Sequence, residues 1–409
     1  MLAHIWFGFF AVGFVSALYQ WLVNGQAGIF TEIMQSTFDM AALSVEVAIG
    51  LIGVLCLWLG FFRIAERAGL INVLARVLAP LFLRLMPEIP RGHAAHGSIT
   101  MNIAANMLGL DNAATPMGLK AMQDLQRLNP NPDTASNAQI LFLVLNTSSV
   151  TLLPVTIFMY RAQQGAADPT AVFVPILIAT SASTLAGLIA VAWVQRIRLF
   201  DKVILAYVFG FAVLMAALAT FLLAQPAEQM AVSSSLLGNL VLFSTIMLFL
   251  VAGWRRRINV YDAFIDGAKE GFDVAVRLIP FLVAMLVAIG VLRSSGVMDG
   301  LIAALDYLLT AIGINTDFIQ ALPTALMKPL SGSGARAMML ETMNNFGVDS
   351  FAATLAAIMQ GSTETTFYVL TVYFGSVGIR HVRHAIGCAL IADLAGILTS
   401  IIVGYWFFH

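Results

Sequence analysis

The stretch MQGSTETTFYVL, which begins at Met359, places an amide, four hydroxyls and a carboxylate inside a long apolar run: Gln360, Ser362, Thr363, Glu364, Thr365 and Thr366. An ionised carboxylate at the centre of a bilayer costs about 2.5–3.5 kcal/mol on insertion scales. Glu364 therefore needs either a partner or a function to persist there. Neutral donors and acceptors grouped around an acid suit recognition of a small polar solute, and the acid suits coupling to Na+ or H+. A second apolar run carries a comparable tract, Asn146, Thr147, Ser148 and Ser149 in LNTSSVTLLP.

Two further tracts interrupt apolar segments. GLDNAATP offers Asp111, Asn112 and Thr115, and KPLSGSGAR offers Ser331 and Ser333 between glycines. Where a helix restarts after such a break, its free N–H groups favour carboxylate or phosphate. Carbonyls freed at the opposite helix ends suit Na+ or H+, and Asp111 joins Glu364 as an ion-coupling candidate. Serine and threonine in membrane helices also bond their own backbone or a neighbouring helix. No single hydroxyl carries the reading; the symmetric placing of four tracts does.

Other residues attract plainer readings. Arg336 or Lys328 would serve Glu364 as a structural ion-pair partner, and Asn102, Asn106 and Asn137 read as helix–helix contacts. His93 and His96 have a metal-like spacing but no neighbouring carboxylate or cysteine, which reads as a solvated loop. Cys56 and Cys388 lie far apart in apolar spans and read as structural thiols. Lys328 and Ser331 permit a Ser–Lys dyad in principle, yet nothing around them looks like an enzyme. No cofactor is expected beyond a coupling ion.

The elements that position these tracts are membrane helices. The chain has 409 residues, 60% of them hydrophobic and 11% charged, with a mean hydropathy of +0.89. A soluble domain carries about 25% charged residues. A net charge of −1 gives no basic field and no nucleic-acid footprint, which leaves lipid and a small polar solute as the expected partners. An all-α polytopic membrane protein is expected, with nine spans near 3–23, 43–62, 136–160, 170–194, 203–224, 234–254, 273–292, 350–375 and 384–408. The first lacks a basic n-region and is read as a retained span rather than a signal peptide. Residues 97–122 and 318–343 break at their centres, and each half is too short to cross about 30 Å of hydrocarbon. Each is expected to form a re-entrant helical hairpin with its tip buried in protein or lining a wet cavity.

The order of elements repeats. FDMAALSVEVAIGLIGVLCLWLGFF corresponds by type to FIDGAKEGFDVAVRLIPFLVAMLVAIG; a hairpin follows each, and then SNAQILFLVLNTSSVTLLPVTI corresponds to FAATLAAIMQGSTETTFYVLTV. Basic residues cluster on one side if the spans alternate, leaving Arg161 and Arg293 on the other. By the positive-inside rule the crowded side is cytoplasmic. The N-terminus is then inside and the C-terminus outside. The halves have inverted topology, with interrupted segments in matching positions, the pattern of a midplane site in a secondary transporter.

The N-half tracts WLGFFRIAERAGLINVLARVLAPLFLRLMPEIP, MNIAANMLGLDNAATPMGLKAMQDLQ and LNTSSVTLLP resemble the spore maturation A proteins over about 1–195. GAKEGFDVAVRLIPFLVAMLVAIG, KPLSGSGARA and MQGSTETTFYVLTVYFGSVGIRHVRHA resemble the spore maturation B proteins over about 230–409. Both are similar to the gate-domain, or nucleoside-recognition, membrane proteins. The resemblance implies a permease-like fold in a bacterial plasma membrane, fused from two gate domains: an A-like half at 1–200, connecting spans at 201–256 and a B-like half at 257–409. It places Asn112, Thr115, Asn146, Ser148, Ser331, Ser333, Gln360, Thr363 and Glu364 on motif positions. Related transporters commonly form homo-oligomers, so the same is expected here. It supplies no substrate, and a non-transporting envelope factor that binds a partner or lipid through the same fold is the alternative.

The orientation is directly testable. A periplasmic-type phosphatase fused after His409 is expected to be active and one fused after Arg256 inactive. The opposite pattern would invert the assignment.

Overall fold

The computed structural model describes residues 2–109, 111–311, 313 and 315–409. Its regular elements are helices: α1 (Leu2–Leu22), α2 (Ile29–Arg67), α3 (Leu70–Leu85), α4 (Ala94–Met107), α5 (Asp111–Gln126), α6 (Asn137–Thr147), α7 (Val155–Gln163), α8 (Phe173–Gln195), α9 (Lys202–Leu223), α10 (Ala227–Arg255), α11 (Val260–Ser294), α12 (Val297–Ala311), α13 (Leu322–Met327), α14 (Gly332–Phe346), α15 (Phe351–Gly361), α16 (Thr366–Ser376) and α17 (Ala385–Phe408). Among the described residues, five helices are long and apolar enough to cross a membrane: α2, α8, α10, α11 and α17. The spans expected near 136–160 and 350–375 are each two short helices, α6–α7 and α15–α16. The reason is local. Each polar tract lets side chains compete with the helical backbone, and helix regularity stops there. The apolar segment near 43–62 is the inner part of a longer helix that runs from Ile29 to Arg67.

Helices in matching places in the chain pack against each other in opposite directions. In the α2–α11 pair, Gly290 meets Ser36 and Met40, Gly271 meets Cys56, and Gly267 meets Leu59 and Arg63. One residue number falls as the other rises, so the helices are antiparallel. The α8–α17 pair behaves likewise: Gly396 meets Ser183, Gly187 meets Ala392, and Gln195 bonds His384 at 2.9 Å.

Small residues make the first pairing close. Ala263, Gly267, Gly271 and Ala275 recur every four residues on α11, and all are buried. A Cβ built on Gly267 would stand 2.2 Å from the Leu59 carbonyl oxygen, and one on Gly271 2.7 Å from the Cys56 backbone nitrogen. Such contact between backbones substitutes for the hydrophobic drive that lipid removes. Arg63–Glu270 at 2.5 Å and Arg67–Asp266 at 2.8 Å close one end of this pair. These ion pairs are partly exposed and contribute only about 0–1 kcal/mol each.

The buried apolar residues fall into two bodies. One takes residues 138–145 of α6, 95–103 of α4 and 369–374 of α16. The other takes residues 153–160, most of α13 and α14, and 353–359 of α15. The polar tracts of both broken segments lie between them in sequence. The α4–α5 pair has most of its buried apolar residues in the first body, and the α13–α14 pair has them in the second.

Contacts between the two broken segments clamp their outer ends. Buried Arg161 of α7 bonds Asp349 and the Val348 carbonyl just before α15. Reciprocally, the Arg380 and His381 amides bond the Asp133 carbonyl before α6, at 2.8 and 3.0 Å. The 93–96 segment is the start of α4 rather than a solvated loop. His93 caps that helix by accepting from the Ala95 amide, and His96 is buried. Cys56 and Cys388 are free thiols.

Gly267→Val places side-chain atoms on a backbone that cannot move aside. It is expected to cost at least about 1–3 kcal/mol and to lower the melting temperature of the purified protein sharply. Gly300→Ala, at a position with open space around it, is expected to leave melting unchanged. Equal melting curves for both variants would show that the α2–α11 contact is not as tight as described.

Candidate functional site

The break in each discontinuous segment follows from its sequence. The α6 helix starts on a capping box, in which the Ser136 hydroxyl accepts from the Gln139 amide and the Gln139 side chain answers. It ends where the Thr147 and Ser148 hydroxyls turn back to the Val144 carbonyl, at 3.0 and 2.8 Å. In the second segment Ser350 caps α15, and the Ser362 hydroxyl donates to the Met359 carbonyl at its end. Side chains at i to i−3 or i−4 compete with the helical ladder and help end it.

The two breaks then satisfy each other. The Glu364 amide donates to the Thr147 carbonyl at 2.8 Å. The tip of each preceding helix pair also binds the following break: the Leu152 amide donates to the Met107 carbonyl, and the Phe367 amide to the Pro329 carbonyl, both at 2.9 Å. Close approach reinforces both contacts. Gly109, at φ +70°, leaves no room for a Cβ beside the Leu153 carbonyl, and a Cβ on Gly332 would lie 2.6 Å from Thr365 Oγ1. Four tracts far apart in sequence therefore form one continuous chain of contacts: tip, break, break, tip.

Asn146, Thr147, Ser148, Ser149, Ser331, Gln360, Ser362, Thr363 and Thr365 are buried in this layer. Ser333 is half-buried and exchanges a hydrogen bond with Ser331, which caps α14 by accepting from the Gly334 amide. Glu364 is also half-buried. Thr115 sits half-buried near the start of α5. The backbone of Asp111 and Asn112 opens α5, but their side chains fall outside the described residues.

A polar network ties the first hairpin to both breaks. Asn146 donates to the Asn102 side-chain oxygen. The Asn102 amide group donates to the Ala114 carbonyl at 2.7 Å and reaches Tyr373 Oη at 3.5 Å. Asn102 is thus the helix–helix contact expected of it. Tyr373 carried no signal in sequence, since a tyrosine among apolar residues is ordinary. Asp393 is the other residue that the sequence reading passed over. It lies 2% exposed within α17 and accepts from the Thr366 hydroxyl at 2.8 Å. The test that singled out Glu364, an acid inside an apolar span, singles out Asp393 equally.

A 740 Å³ cavity opens among Asp299, Asp306, Asp317, Phe346 and His409, and an apolar cavity of 420 Å³ lies between α1, α12 and α13. Arg293, one of the two basic residues expected on the less basic side, is engaged in an ion pair with buried Glu341. Arg161 is engaged with Asp349 at 3.1 Å. Among the described residues no group of three or more His, Cys, Asp or Glu is arranged to hold a metal ion.

Comparison with known proteins gives this geometry a family. Spore maturation protein B of Bacillus subtilis (strain 168) is 46% identical over 154 residues, 38% of this chain and 85% of that protein. Spore maturation protein A of the same organism is 36% identical over 185 residues, 45% of this chain and 91% of that protein. Two relatives, each covered over most of its length, are consistent with a fused A/B chain. No solved structure matches. The Gate family, described as nucleoside recognition, matches residues 48–163 and 275–380, more than half of the chain and both broken segments with the helix pairs before them. The chain belongs to the nucleoside-recognition Gate family.

Proposed function

We propose that this integral membrane protein is a secondary transporter of a small polar or anionic metabolite, coupled to Na+ or H+, whose site lies between the two hairpin tips. One observation carries the reading. Two tips and two helix breaks, contributed by matching elements that run in opposite directions, meet in one buried polar layer between two apolar cores. Lipid cannot satisfy broken backbone, and an inverted repeat with discontinuous helices is the arrangement that secondary transporters use for a midplane site. The α4–α5 and α13–α14 pairs are read as re-entrant hairpins entering from opposite faces. The N-terminus of α14 and its serines supply donors to an anionic group, and Glu364 supplies charge for ion coupling. Alternating exposure comes from withdrawing one tip at a time. The bacterial plasma membrane and a homo-oligomeric assembly belong to the same reading.

The burial of most of these polar residues also fits a second role, that of a non-transporting envelope factor that binds a partner or lipid. An uptake screen of metabolites in proteoliposomes, with and without Na+ and at acidic and neutral pH, separates the two. The transporter reading expects ion-dependent accumulation of at least one solute, and accumulation of none would favour the envelope role. Glu364→Gln is expected to abolish the ion dependence while leaving the melting temperature within a few degrees of the parent. Unchanged ion dependence would remove Glu364 from that task.

Ser331→Ala removes the α14 cap and its bond to the Gly334 amide. The expected loss is about 0.5–2 kcal/mol of local stability, read as a weaker apparent affinity for solute without loss of folded protein. An unaltered uptake curve would detach Ser331 from the site.

A further inference from the structure

We propose that Asp393 is a proton-binding site of the second tip: ionised, it is held by Lys328 and Thr366, and its protonation accompanies release of that tip. The proposal rests on the transport reading for its purpose but not for its chemistry. Asp393 lies 2% exposed in the middle of a 24-residue apolar helix. One carboxylate oxygen accepts from the Thr366 hydroxyl, the first residue of α16. The other, Oδ1, is buried and without a hydrogen-bond partner among the described residues. A buried carboxylate normally fills all of its acceptor positions.

The surroundings select the ion. The charge of Lys328, itself buried at the tip between α13 and α14, acts on Asp393. The helices packed against α17 are α6, α8, α10, α15 and α16. Of these, α6, α8 and α15 carry no ionisable side chain, α16 carries only the phenols of Tyr368 and Tyr373, and α10 carries Glu228 and Arg255 only in its first and last turns. One turn away, the Thr363 methyl, the Ser183 Cβ and the Ser362 carbonyl oxygen crowd Gly396. A sodium ion would need several oxygens and would stand near the Lys328 ammonium, which repels it. A proton needs only Oδ1. Its arrival neutralises Asp393 and removes the electrostatic hold on Lys328. Lys328 and Pro329, whose carbonyl tethers the tip to α16, are adjacent, so the charge state of Asp393 bears directly on the contact that keeps the tip seated.

Infrared difference spectra of the full chain in lipid nanodiscs, titrated from alkaline to acidic pH, test this without any transported solute. A protonated carboxylic-acid band is expected to grow as pH falls, to vanish in Asp393→Asn and to persist in Glu364→Gln. Lys328→Met is expected to move its midpoint to higher pH by at least about one unit, because a neighbouring cation has been removed. Thr366→Val, a milder change, is expected to move it the same way by a smaller amount. A band that survives Asp393→Asn, or a midpoint indifferent to both neighbours, would overturn the assignment. Absence of solute uptake with the band intact would sink the transport reading alone. Uptake whose pH dependence survives Asp393→Asn would sink this proposal alone.

Discussion

The structure depends on where broken backbone finds its hydrogen bonds. A helix interrupted inside hydrocarbon leaves peptide groups that lipid cannot serve, each at a cost of several kcal/mol. Here the α6–α7 and α15–α16 breaks are placed together, and the Glu364 amide answers the Thr147 carbonyl. The tips of the two helix pairs do the same for the flanking residues through Met107 and Pro329. No one of the four tracts would be stable at that depth alone. Each is tolerable because the other three are present, which explains why polarity is confined to one layer with apolar cores on either side.

That layer exists only if the scaffold around it is rigid. The α2–α11 and α8–α17 pairs supply the rigidity, and both use glycine at the contact. At Gly267 and Gly271 helix backbone meets helix backbone, and at Gly396 the Thr363 methyl and the Ser362 carbonyl press onto α17. The second contact is where scaffold and polar layer join, since Ser362 and Thr363 belong to the break. Thr184 performs the same junction on the other side, donating to the Ser148 carbonyl from α8. Each break is therefore gripped by the long helix that follows it in the chain. The outer ends of the broken segments are held instead by each other, through Arg161 with Asp349 and through the Arg380 amide with Asp133.

Much of this was legible in the sequence because membrane helices leave so little room for polar residues. Asn146 through Ser149 and Gln360 through Thr366 stood out against apolar runs, and the structure places both tracts at helix breaks. The centres of residues 97–122 and 318–343 also do interrupt helices, because Gly109 and the Pro329–Gly332 run disfavour a continuous ladder. What sequence concealed was partnership. That Glu364 would meet Thr147 through backbone, or that Asn102 would join Asn146, depends on three-dimensional crossing that no spacing encodes. Asp393 was concealed for a different reason: it stands alone in ALIADLAGILTS, without the neighbouring hydroxyls that drew attention to Glu364. The hydroxyl that meets it, on Thr366, comes from another helix.

The buried polar layer and a transport cycle are compatible on energetic grounds. A hydrogen bond between neutral backbone groups contributes only about 0.5–1.5 kcal/mol net, and each tip is tethered to its own break by one described backbone bond, Leu152 to Met107 or Phe367 to Pro329. Freeing the first tip disturbs that bond, a glycine contact and the Asn146–Asn102 bond, and freeing the second disturbs its backbone bond and a glycine contact, while α2–α11 and α8–α17 stay packed. The strong contacts thus lie in the scaffold and the weak ones at the tips. A solute or ion with a preference of a few kcal/mol for an open tip is enough to shift such an equilibrium. Polar groups at the tips serve that end better than apolar ones would, because water can satisfy them once the layer opens, whereas the backbone contacts of the long helices gain nothing from exposure.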